Sequence, residues 1–570
     1  GRSRRVRVIQ LPLGENMSSL AKALSAAILF GAVGQAAAAD NATVATRALG
    51  VIHNNPVPTR LSAYDAFTAR DVIVDRNGTE HVRFDRTYKA LPVIGGDLVV
   101  HSKAGVLQRT SLMQAKPLNL STTPVITAAA AIATAGKAWA SAYDVSPTSR
   151  LVVLARGATP KLAHDVLYVG RAADGTPVRM HYYVDAVSGA ILDKTNAIET
   201  GTLPGTGYPT GTTPPPPDFI PSIGPGYSLF AGNVTLNTQF NNTRRIYELK
   251  DSTRGNTSIT DMGNGYRTNG TLMVDADNRW GNGQQTDRVS AGVDAAYGFQ
   301  KTWDFYKTAF GRTGIRNDGV GAFGAVHYSI NYANAFWNND CFCMSFGDGD
   351  GVQMRPLVSI DIIGHEVSHG VTHATANLTY NSESGGLNEA TSDIFGTMIE
   401  YFANNAKQPP NYVIGDQIFI TPGWNKFIRT MFKPHLDGIS PDCYPSATTP
   451  SNGITLANFK AMNVHYSSGV ANHFFYLLAE GAVVPADYAA GTPANLGPSD
   501  LVCNGNVGLA GIGRDAAMQI WYRALTVYMT SSTDYPNARI ATMNAAGDLY
   551  GVGSPYQLAV AAAWDAVTMP

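Results

Sequence analysis

Charged residues are scarce in this chain, and the few it has nearly cancel. They make up 15% of its 570 residues, and 42 Lys and Arg against 43 Asp and Glu leave a formal net charge of −1. A balance this close to zero gives no support for nucleic acid or an anionic membrane surface as a partner. The low charge, together with frequent Gly, Ser, Thr and Asn, favours a secreted protein over a cytosolic one.

Cysteine is also sparse. The chain has four, Cys341, Cys343, Cys443 and Cys503, which allow three fully paired connectivities. In an oxidising compartment disulfides are the default, and we favour a bond between Cys443 and Cys503. Cys341 and Cys343 then either close a small strained ring or remain as reactive thiols. A zinc finger is disfavoured, because no second Cys/His pair lies at the required spacing.

Long apolar runs are absent except in residues 17–39, MSSLAKALSAAILFGAVGQAAAA. Lys22 supplies a positive charge, an apolar core follows, and an alanine run ends the segment, as in a secretory signal peptide. The apolar core is too short to span a bilayer comfortably, so we expect an extracellular protein without a stable membrane anchor. The alternative is a buried core helix. If residues 17–39 are a signal peptide, we expect residues 1–16 to be an upstream extension and Met17 to be the true start.

The clearest internal boundary is residues 200–226, which are rich in Pro, Gly and Thr. This composition cannot bury a core and predicts an exposed linker containing a processing site. Before it, residues 40–199 alternate strand-like runs with one Ala-rich helix. After it, residues 227–375 mix strands with turns and end in a histidine-containing helix, and residues 376–570 are mostly helical in pattern.

The segment IDIIGHEVSHGVTHATANL, residues 360–378, places His365, His369 and His373 at intervals of four, on one face of a helix. His365 and His373 would be separated by about 12 Å of helix rise, whereas zinc–nitrogen bonds are about 2.0–2.1 Å, so one ion reaches only neighbours. Glu366 completes a His-Glu-x-x-His pattern, in which two imidazoles bind Zn²⁺ beside a glutamate base. His373 lacks the glycine-turned spacing of a third ligand and is interpreted as structural or surface.

A third ligand is expected in YNSESGGLNEATSDIFGTMIE, residues 380–400, where Glu383 and Glu389 compete. Glu389 and Asp393 lie four apart on a predicted helix, so Glu389 can bind the ion while Asp393 holds an imidazole through its second nitrogen. Glu383 falls in a predicted loop and is interpreted as solvated. Two histidines and a carboxylate would also suit Fe(II), but helical spacing with an embedded glutamate in a secreted chain favours zinc.

Two motifs occur in order, His365-Glu366-x-x-His369 and then Asn388-Glu389-Ala390-x-Ser392-Asp393. With them, residues 227–570 resemble the thermolysin-like metallopeptidases, and the elastase-like bacterial members are nearest. The amino-terminal part also resembles that family's pro-region, in the segment HVRFDRTYKALPVIGGDLVVH. The resemblance implies an α+β, two-lobed zincin fold, with a β-rich amino-terminal lobe, a helical carboxyl-terminal lobe and the active-site helix between them. An α+β pro-domain would precede it as chaperone and inhibitor.

The resemblance also implies a function and a set of site residues. The protein would be a zymogen and then a zinc endopeptidase acting on proteins and peptides, expected here as a monomer. His365, His369 and Glu389 would hold one zinc ion, and Glu366 would be the general base. The other implied roles are oxyanion donors Tyr380 and His465, backbone binders Asn334, Ala335 and Arg429, and an apolar specificity pocket of Ile362, Ile414 and Ile428.

A structural Ca²⁺ site is implied as well, and the sequence departs from the family at two positions. The calcium ligands would be Asp361, Glu400, Asn411, Asp416 and the Val413 carbonyl. Asn411 stands where aspartate is usual, which predicts weaker calcium binding. Asn463 stands where elastase-like members carry aspartate beside the oxyanion histidine, which leaves the pH optimum open.

Two other classes of protein fit part of the pattern. A zinc aminopeptidase shares the helix and the distal glutamate, but its Gly-x-Met-x-Asn substrate motif is absent upstream. A secreted adhesin on an inactive protease scaffold would be expected to lose Glu366 or a zinc ligand, and the chain retains all of them.

Overall fold

The structure is a computed structural model that describes residues 41–139, 141–172, 176–198, 218–266 and 269–569. The upstream extension and signal peptide expected in residues 1–39 lie outside the described residues, as does most of the expected linker. Among the residues that are described, no helix has both the length and the apolar character needed to cross a membrane.

The amino-terminal unit, residues 41–198, is an α+β unit built on a nine-stranded sheet with two helices. Its helices are α1 (residues 41–54) and α2 (Ala128–Ala138), and both bury small or branched apolar side chains against the sheet. The sheet order is β5-β4-β2-β3-β6-β7-β8-β9, with β1 paired to β2. The strands are β1 Asp65–Val74, β2 Thr79–Tyr88, β3 Leu91–Ile94, β4 Leu98–Lys103, β5 Val106–Leu112, β6 Tyr143–Leu154, β7 Lys161–Arg171, β8 Pro177–Asp185 and β9 Ile191–Asn196.

The next part of the chain is a β-rich lobe with one long helix, α3 (Arg288–Phe310), which Asp287 caps at its amino end. One sheet has the order β10-β11-β12-β16, and a second has β13-β14-β17-β19-β18 with β15 paired to β14. The strands are β10 Phe219–Tyr227, β11 Asn233–Asn241, β12 Ile246–Glu248, β13 Lys250–Asp251, β14 Thr257–Asp261, β15 Thr271–Leu272, β16 Val274–Asp275, β17 Phe323–Val326, β18 Ala335–Asn338 and β19 Cys343–Phe346.

The start predicted for this lobe, residue 227, is too late. Residues 219–226 fall in the predicted linker, but together with Tyr227 they form β10, which pairs antiparallel with β11 along its whole length. Pro221 and Pro225 lie within β10, and this is compatible with a strand because β10 is at the edge of its sheet, where a missing N–H costs no ladder hydrogen bond.

The remaining residues form a mainly helical lobe, as predicted. Its helices are α4 Ile360–Ala374, α5 Ser382–Ala403, α6 Leu456–Ala461, α7 Val464–Ser467, α8 Gly469–Glu480, α9 Arg514–Arg523, α10 Tyr535–Tyr550 and α11 Pro555–Ala566. A short two-stranded sheet, β20 Val413–Ile414 with β21 Arg429–Thr430, lies among them. The histidine helix is α4, and its predicted apolar positions Ile360, Ile363, Val367 and Val371 are all buried.

Both cysteine pairs are disulfide-bonded. Cys443 is joined to Cys503, the pairing predicted from the sequence, with Cα atoms 6.5 Å apart. Cys341 is joined to Cys343, with Cα atoms 5.2 Å apart, which decides between the ring and the free thiols left open above. The first bond ties the helical lobe across 60 residues, and the second closes the turn between β18 and β19.

The amino-terminal unit packs on the helical lobe through charged and polar contacts. Arg83 is almost fully buried and donates hydrogen bonds to the carbonyls of Met529, at 2.7 Å, and Thr526, at 3.2 Å. Asp75 accepts two hydrogen bonds from Arg523, at 2.8 and 2.6 Å. The two units are therefore joined by specific polar and charged contacts.

Candidate active site

Helices α4 and α5 pack unusually closely where the predicted zinc ligands lie. A Cβ atom added at Gly364 would lie 3.0 Å from Gly396 Cα, and one at Gly396 would lie 2.5 Å from the Asp361 carbonyl oxygen and 3.0 Å from the His365 backbone nitrogen. Only glycine at both positions lets the two backbones approach so far. This approach brings side chains of α5 within reach of the histidines of α4.

The side chains of His365, His369 and Glu389 converge on one point. The two Nε2 atoms are 3.1 Å apart. Glu389 Oε1 lies 3.3 Å from His369 Nε2, and its Oε2 lies 3.6 Å from His365 Nε2. All three residues are buried, and Glu389 Oε2 has no hydrogen-bond partner among the described residues.

This donor set fits a zinc ion. Ligands about 2.0–2.1 Å from a tetrahedral zinc lie about 3.3 Å from one another, close to the three separations given above. Glu389 Oε2 is buried without a hydrogen-bond donor, and Arg429 Nη2 lies 3.6 Å away, beyond hydrogen-bond distance, so a closer cation would compensate this oxygen. The neighbouring histidines, acting against the effect of burial, also hold the pKa of Glu389 well below its usual range. Glu366 is buried beside the site. One carboxylate oxygen of Glu366 and one ring nitrogen each of His365 and His369 lie within 4.8 Å of one another.

A second layer of hydrogen bonds orients the two imidazoles. His365 Nδ1 contacts Asp393 Oδ1 at 2.8 Å, and His369 Nδ1 contacts Asn388 Oδ1 at 2.8 Å. With each Nδ1 bound in this way, each Nε2 is directed at the metal position. The sequence predicted the role of Asp393. It gave no role to Asn388, although this residue directly precedes Glu389.

Asp393 is itself held by two further residues. Arg429 donates to both of its carboxylate oxygens, at 2.9 and 2.8 Å, and Asn472 donates to Oδ2 at 2.7 Å. The substrate contact expected for Arg429 stays a prediction, and the contact that the structure shows is the one with Asp393. Asn472, on α8, was missed because it lies 79 residues from Asp393 and no local pattern connects the two.

Tyr380 and His465, predicted as oxyanion donors, lie side by side at the zinc site. Tyr380 Oη is 3.2 Å from His465 Nε2 and donates a hydrogen bond of 2.5 Å to Glu389 Oε1. His465 Nδ1 contacts Asn463 Oδ1 at 2.7 Å. The structure therefore brings both donors to the same side of the site and places the uncharged Asn463 behind the histidine.

The site opens into a cavity of about 280 Å³ between the two lobes. It is lined by residues from α4, from the start of β18, from β20 and β21 and from the region of α7. Those predicted from the sequence are Asn334, Ala335, Ile362, His365, Glu366, Ile414, Ile428, Arg429 and His465. Met354 and Leu357 also line the cavity, although the sequence predicts no role for them in the site.

The predicted calcium ligands cluster behind α4. Asn411 donates to Asp416 Oδ2 at 3.0 Å, and its backbone nitrogen donates to Glu400 Oε2 at 3.2 Å. Burial and the nearby Asp361 raise the pKa of Glu400 well above its usual range and that of Asp416 to about 6. Glu400 Oε1 and Asp416 Oδ1 are buried without hydrogen-bond partners among the described residues. A hard cation such as Ca²⁺ fits this group of oxygens.

Two other predictions are decided by the structure. Glu383 is not a solvated loop residue: it lies in the first turn of α5, is buried, and accepts hydrogen bonds from Tyr444 Oη and the Tyr535 backbone nitrogen. His373 is exposed on the last turn of α4, so it is a surface residue outside the site.

Comparison with protein families agrees with this geometry. Residues 223–373 match the family model described as thermolysin metallopeptidase, catalytic domain, and residues 376–569 match thermolysin metallopeptidase, alpha-helical domain. Residues 65–110 match the fungalysin/thermolysin propeptide motif.

Individual relatives extend the similarity over most of the chain. The transglutaminase-activating metalloprotease of Streptomyces mobaraensis is 41% identical over 517 residues, which are 89% of this chain and 62% of that protein. The chain thus spans less than two thirds of that relative. Bacillolysin of Bacillus cereus is 35% identical, covering 89% of this chain and 85% of the relative. Thermolysin of Alicyclobacillus acidocaldarius subsp. acidocaldarius is 33% identical, covering 86% and 84%.

Proposed function

Since the chain belongs to the thermolysin family of zinc metalloendopeptidases and carries the family's propeptide motif, we propose that it is a secreted endopeptidase made as a zymogen. The observation that carries this proposal is the convergence of His365, His369 and Glu389 around one position. These three residues would hold the zinc ion, which when bound would supply Lewis-acid polarisation of the scissile carbonyl and a lowered pKa for the attacking water.

The chain's own residues supply the remaining steps. Glu366 takes a proton from the attacking water and later delivers it to the leaving amine. Tyr380 and His465 donate hydrogen bonds to the oxyanion that forms at the former carbonyl oxygen, and donors of this kind are typically worth about 3–4 kcal/mol each. Their adjacent positions beside Glu389 support this assignment.

Substrate is held along the edge of the β-rich lobe. β18 ends its sheet, so an extended peptide can lie against Asn334 and Ala335. Nε and Nη2 of Arg429 both donate to Asp393, so Nη1 is the nitrogen assigned to a substrate carbonyl.

The apolar part of the cleft accounts for specificity. Ile362, Ile414 and Ile428, with Met354 and Leu357, line the cavity with apolar surface. We infer a preference for a large hydrophobic residue just after the cleaved bond, because such a side chain gains most from this burial.

The remaining parts of the proposal concern maturation and stability. Residues 40–199 act as chaperone and inhibitor, and cleavage in the segment before β10 releases them. Asp361, Glu400, Asn411, Val413 and Asp416 hold a structural Ca²⁺. The enzyme acts outside the cell as a monomer on proteins and peptides.

The test is the substitution Glu366→Ala in the full chain. Glu366 is assigned as a base and not as a ligand, so the variant should retain one zinc ion per chain and lose azocasein hydrolysis. Metal content by atomic absorption and hydrolysis of azocasein measure the two properties separately. Hydrolysis retained by the variant would reject the assigned base, and loss of zinc would make Glu366 part of the metal site.

A further inference from the structure

The sheet edge assigned to substrate is formed by a short strand. β18 is the last strand in its sheet order, and its four residues pair antiparallel with β19. Just before β18, the Gly347 backbone nitrogen extends this pairing by donating to the Asn334 carbonyl at 3.0 Å. In a hairpin the register of the two strands is fixed by the turn between them. The position of the substrate edge therefore depends on the turn that joins β18 to β19.

A disulfide bond closes that turn. It joins Cys341, in the turn, to Cys343, the first residue of β19, so its ring contains a single intervening residue. Cys343 lies opposite Asn338, the last residue of β18, and Cys341 Sγ lies 3.6 Å from the Asn338 carbonyl oxygen. The Asn338 side chain accepts a hydrogen bond from the Asp340 backbone nitrogen at 2.9 Å. The end of β18, the turn and the start of β19 are thus joined into one unit.

The residue between the two cysteines has a backbone conformation that is unfavourable for its side chain. Phe342 has φ +53°, in the left-handed region, where a bulky residue is disfavoured. The small disulfide ring leaves its backbone little freedom to adopt another conformation. In this conformation the Phe342 ring packs against Trp337 of β18, with ring centroids 5.2 Å apart, and the Arg316 guanidinium carbon lies 3.9 Å from the Phe342 centroid. The bond therefore keeps Phe342 against the edge strand.

Both faces of β18 contact this unit. Neighbouring residues of a strand point to opposite faces, so Trp337 and Phe336 lie on different sides of the sheet. Trp337 contacts Phe342, and its Nε1 donates to Asn339 Oδ1 of the turn at 2.7 Å. Phe336 belongs to the same buried apolar cluster as the two cysteines. A slip of β18 by one residue would exchange the two faces and lose both sets of contacts.

We propose that the disulfide between Cys341 and Cys343 positions substrate: it fixes the register of β18, and with it the edge along which an extended peptide lies. Both cysteines are buried, so thiols in solution have little access to the bond, and it acts as a permanent constraint. This role rests on the proposed function, because only a substrate that lies along β18 is positioned in this way.

Kinetics of the enzyme obtained from the full chain test this role. In Cys341→Ala/Cys343→Ala, kcat/KM for a hexapeptide should fall about tenfold through a higher KM, because hydrogen bonds along the edge form less well. A blocked dipeptide with the same scissile bond does not extend along β18, so its kcat/KM should change by no more than about twofold. Equal losses for the two peptides, or no loss for the hexapeptide, would overturn the proposal.

Cys443→Ala/Cys503→Ala is the matched control. It removes the other disulfide, which closes a loop of the helical lobe across 60 residues. This variant should have a lower Tm, because its unfolded state is less constrained. The ratio of the two kcat/KM values should stay that of the wild-type enzyme. A ratio that falls as far in the control as in Cys341→Ala/Cys343→Ala would overturn the proposal.

Phe342→Gly is the second variant, in case the first alanine pair folds poorly. It keeps the disulfide and tolerates the left-handed backbone, but it removes the contact with Trp337. The hexapeptide KM should therefore rise about twofold or more, again without a matching change for the dipeptide. An unchanged hexapeptide KM would overturn the proposal.

Hydrogen exchange separates this role from the proposed function, because it requires no activity. In a Glu366→Ala background of the full chain, the β18 amides should exchange about tenfold faster in Cys341→Ala/Cys343→Ala than in the control pair. Equal exchange would overturn the positioning role. Faster exchange, together with a wild-type enzyme that hydrolyses neither peptide in the presence of zinc, would overturn the proposed function alone.

Discussion

At the scale of single residues, the partner of His465 distinguishes this site. Asn463 Oδ1 accepts hydrogen bonds from the ring nitrogen Nδ1, at 2.7 Å, and from the backbone nitrogen of the same histidine, at 3.0 Å. An amide oxygen orients the ring but carries no charge. It therefore stabilises the imidazolium form less than a carboxylate would.

Replacing Asn463 with aspartate should extend activity to higher pH. The new carboxylate favours the charged form of His465, so its pKa should rise and the protonated donor should persist further into the alkaline range. The alkaline limb of the kcat/KM profile for a peptide substrate measures this shift. Asn463→Ser, which keeps a capping oxygen without charge, should leave the limb in place. An alkaline limb that does not move in Asn463→Asp would contradict the assigned role of His465.

The residues of the site differ in how far the sequence could reveal them. The His-Glu-x-x-His spacing places His365 and His369 on one helix face beside Glu366, and the spacing of four between Glu389 and Asp393 then selects Glu389 as the third ligand. Asn472 could not be found in this way, because its contact with Asp393 depends on how α8 packs on α5. The prediction that Glu383 lies in a solvated loop is wrong. The Gly-Gly pair that follows it favours a loop in the local sequence, but in the structure this pair is buried within α5.

At the scale of elements, the separation of α4 and α5 sets the metal geometry. Gly396→Ala would place a Cβ 2.5 Å from the Asp361 carbonyl oxygen, so the helices must move apart. We expect an overpacking cost of about 1–3 kcal/mol. Because Glu389 moves with α5, zinc affinity should fall about tenfold or more, measured by competition with a chelator.

Gly50→Ala is the matched control for this change. Gly50 also lies in a helix, α1, and a Cβ there meets nothing within 4 Å. Both variants are measured in the uncleaved chain, where Gly50 is still present, and zinc affinity should be unchanged in the control. Unchanged affinity in Gly396→Ala as well would show that the close helix contact does not position Glu389.

The elements themselves were largely predictable, with one exception that has a physical cause. The periodicities of α4 and α5 are strong enough to identify both helices from local sequence. β10 was assigned to the linker because Pro221 and Pro225 lower strand propensity, yet pairing with β11 on one side is sufficient for an edge strand. The hydrogen bonds that join Arg156 to Thr379 and Asp193 to Asn381 could not be predicted, because they connect residues more than 180 positions apart.

At the scale of the whole molecule, the carboxylates behind α4 predict that calcium controls stability in a pH-dependent way. In the calcium-free protein the pKa of Asp416 is raised from 3.8 to about 6, so the folded chain holds a proton that the unfolded chain has lost between these values. Stability should therefore fall as pH rises through this window.

Bound Ca²⁺ should remove this loss, because it compensates the ionised carboxylates. The increase in Tm on adding calcium should thus be larger at pH 7 than at pH 4.5, measured by calorimetry with EGTA-treated protein as the reference. Asp416→Asn should reduce the increase. A calcium effect that is absent or equal at the two pH values would count against this site.

The central claim is that one zinc ion is bound by His365, His369 and Glu389, and anomalous diffraction at the zinc edge tests it most directly. The account predicts a single peak about 2.0–2.2 Å from the two Nε2 atoms and the Glu389 carboxylate, with one remaining position open to solvent. A peak bound elsewhere, or Glu389 directed away from a zinc held by the two histidines, would contradict it.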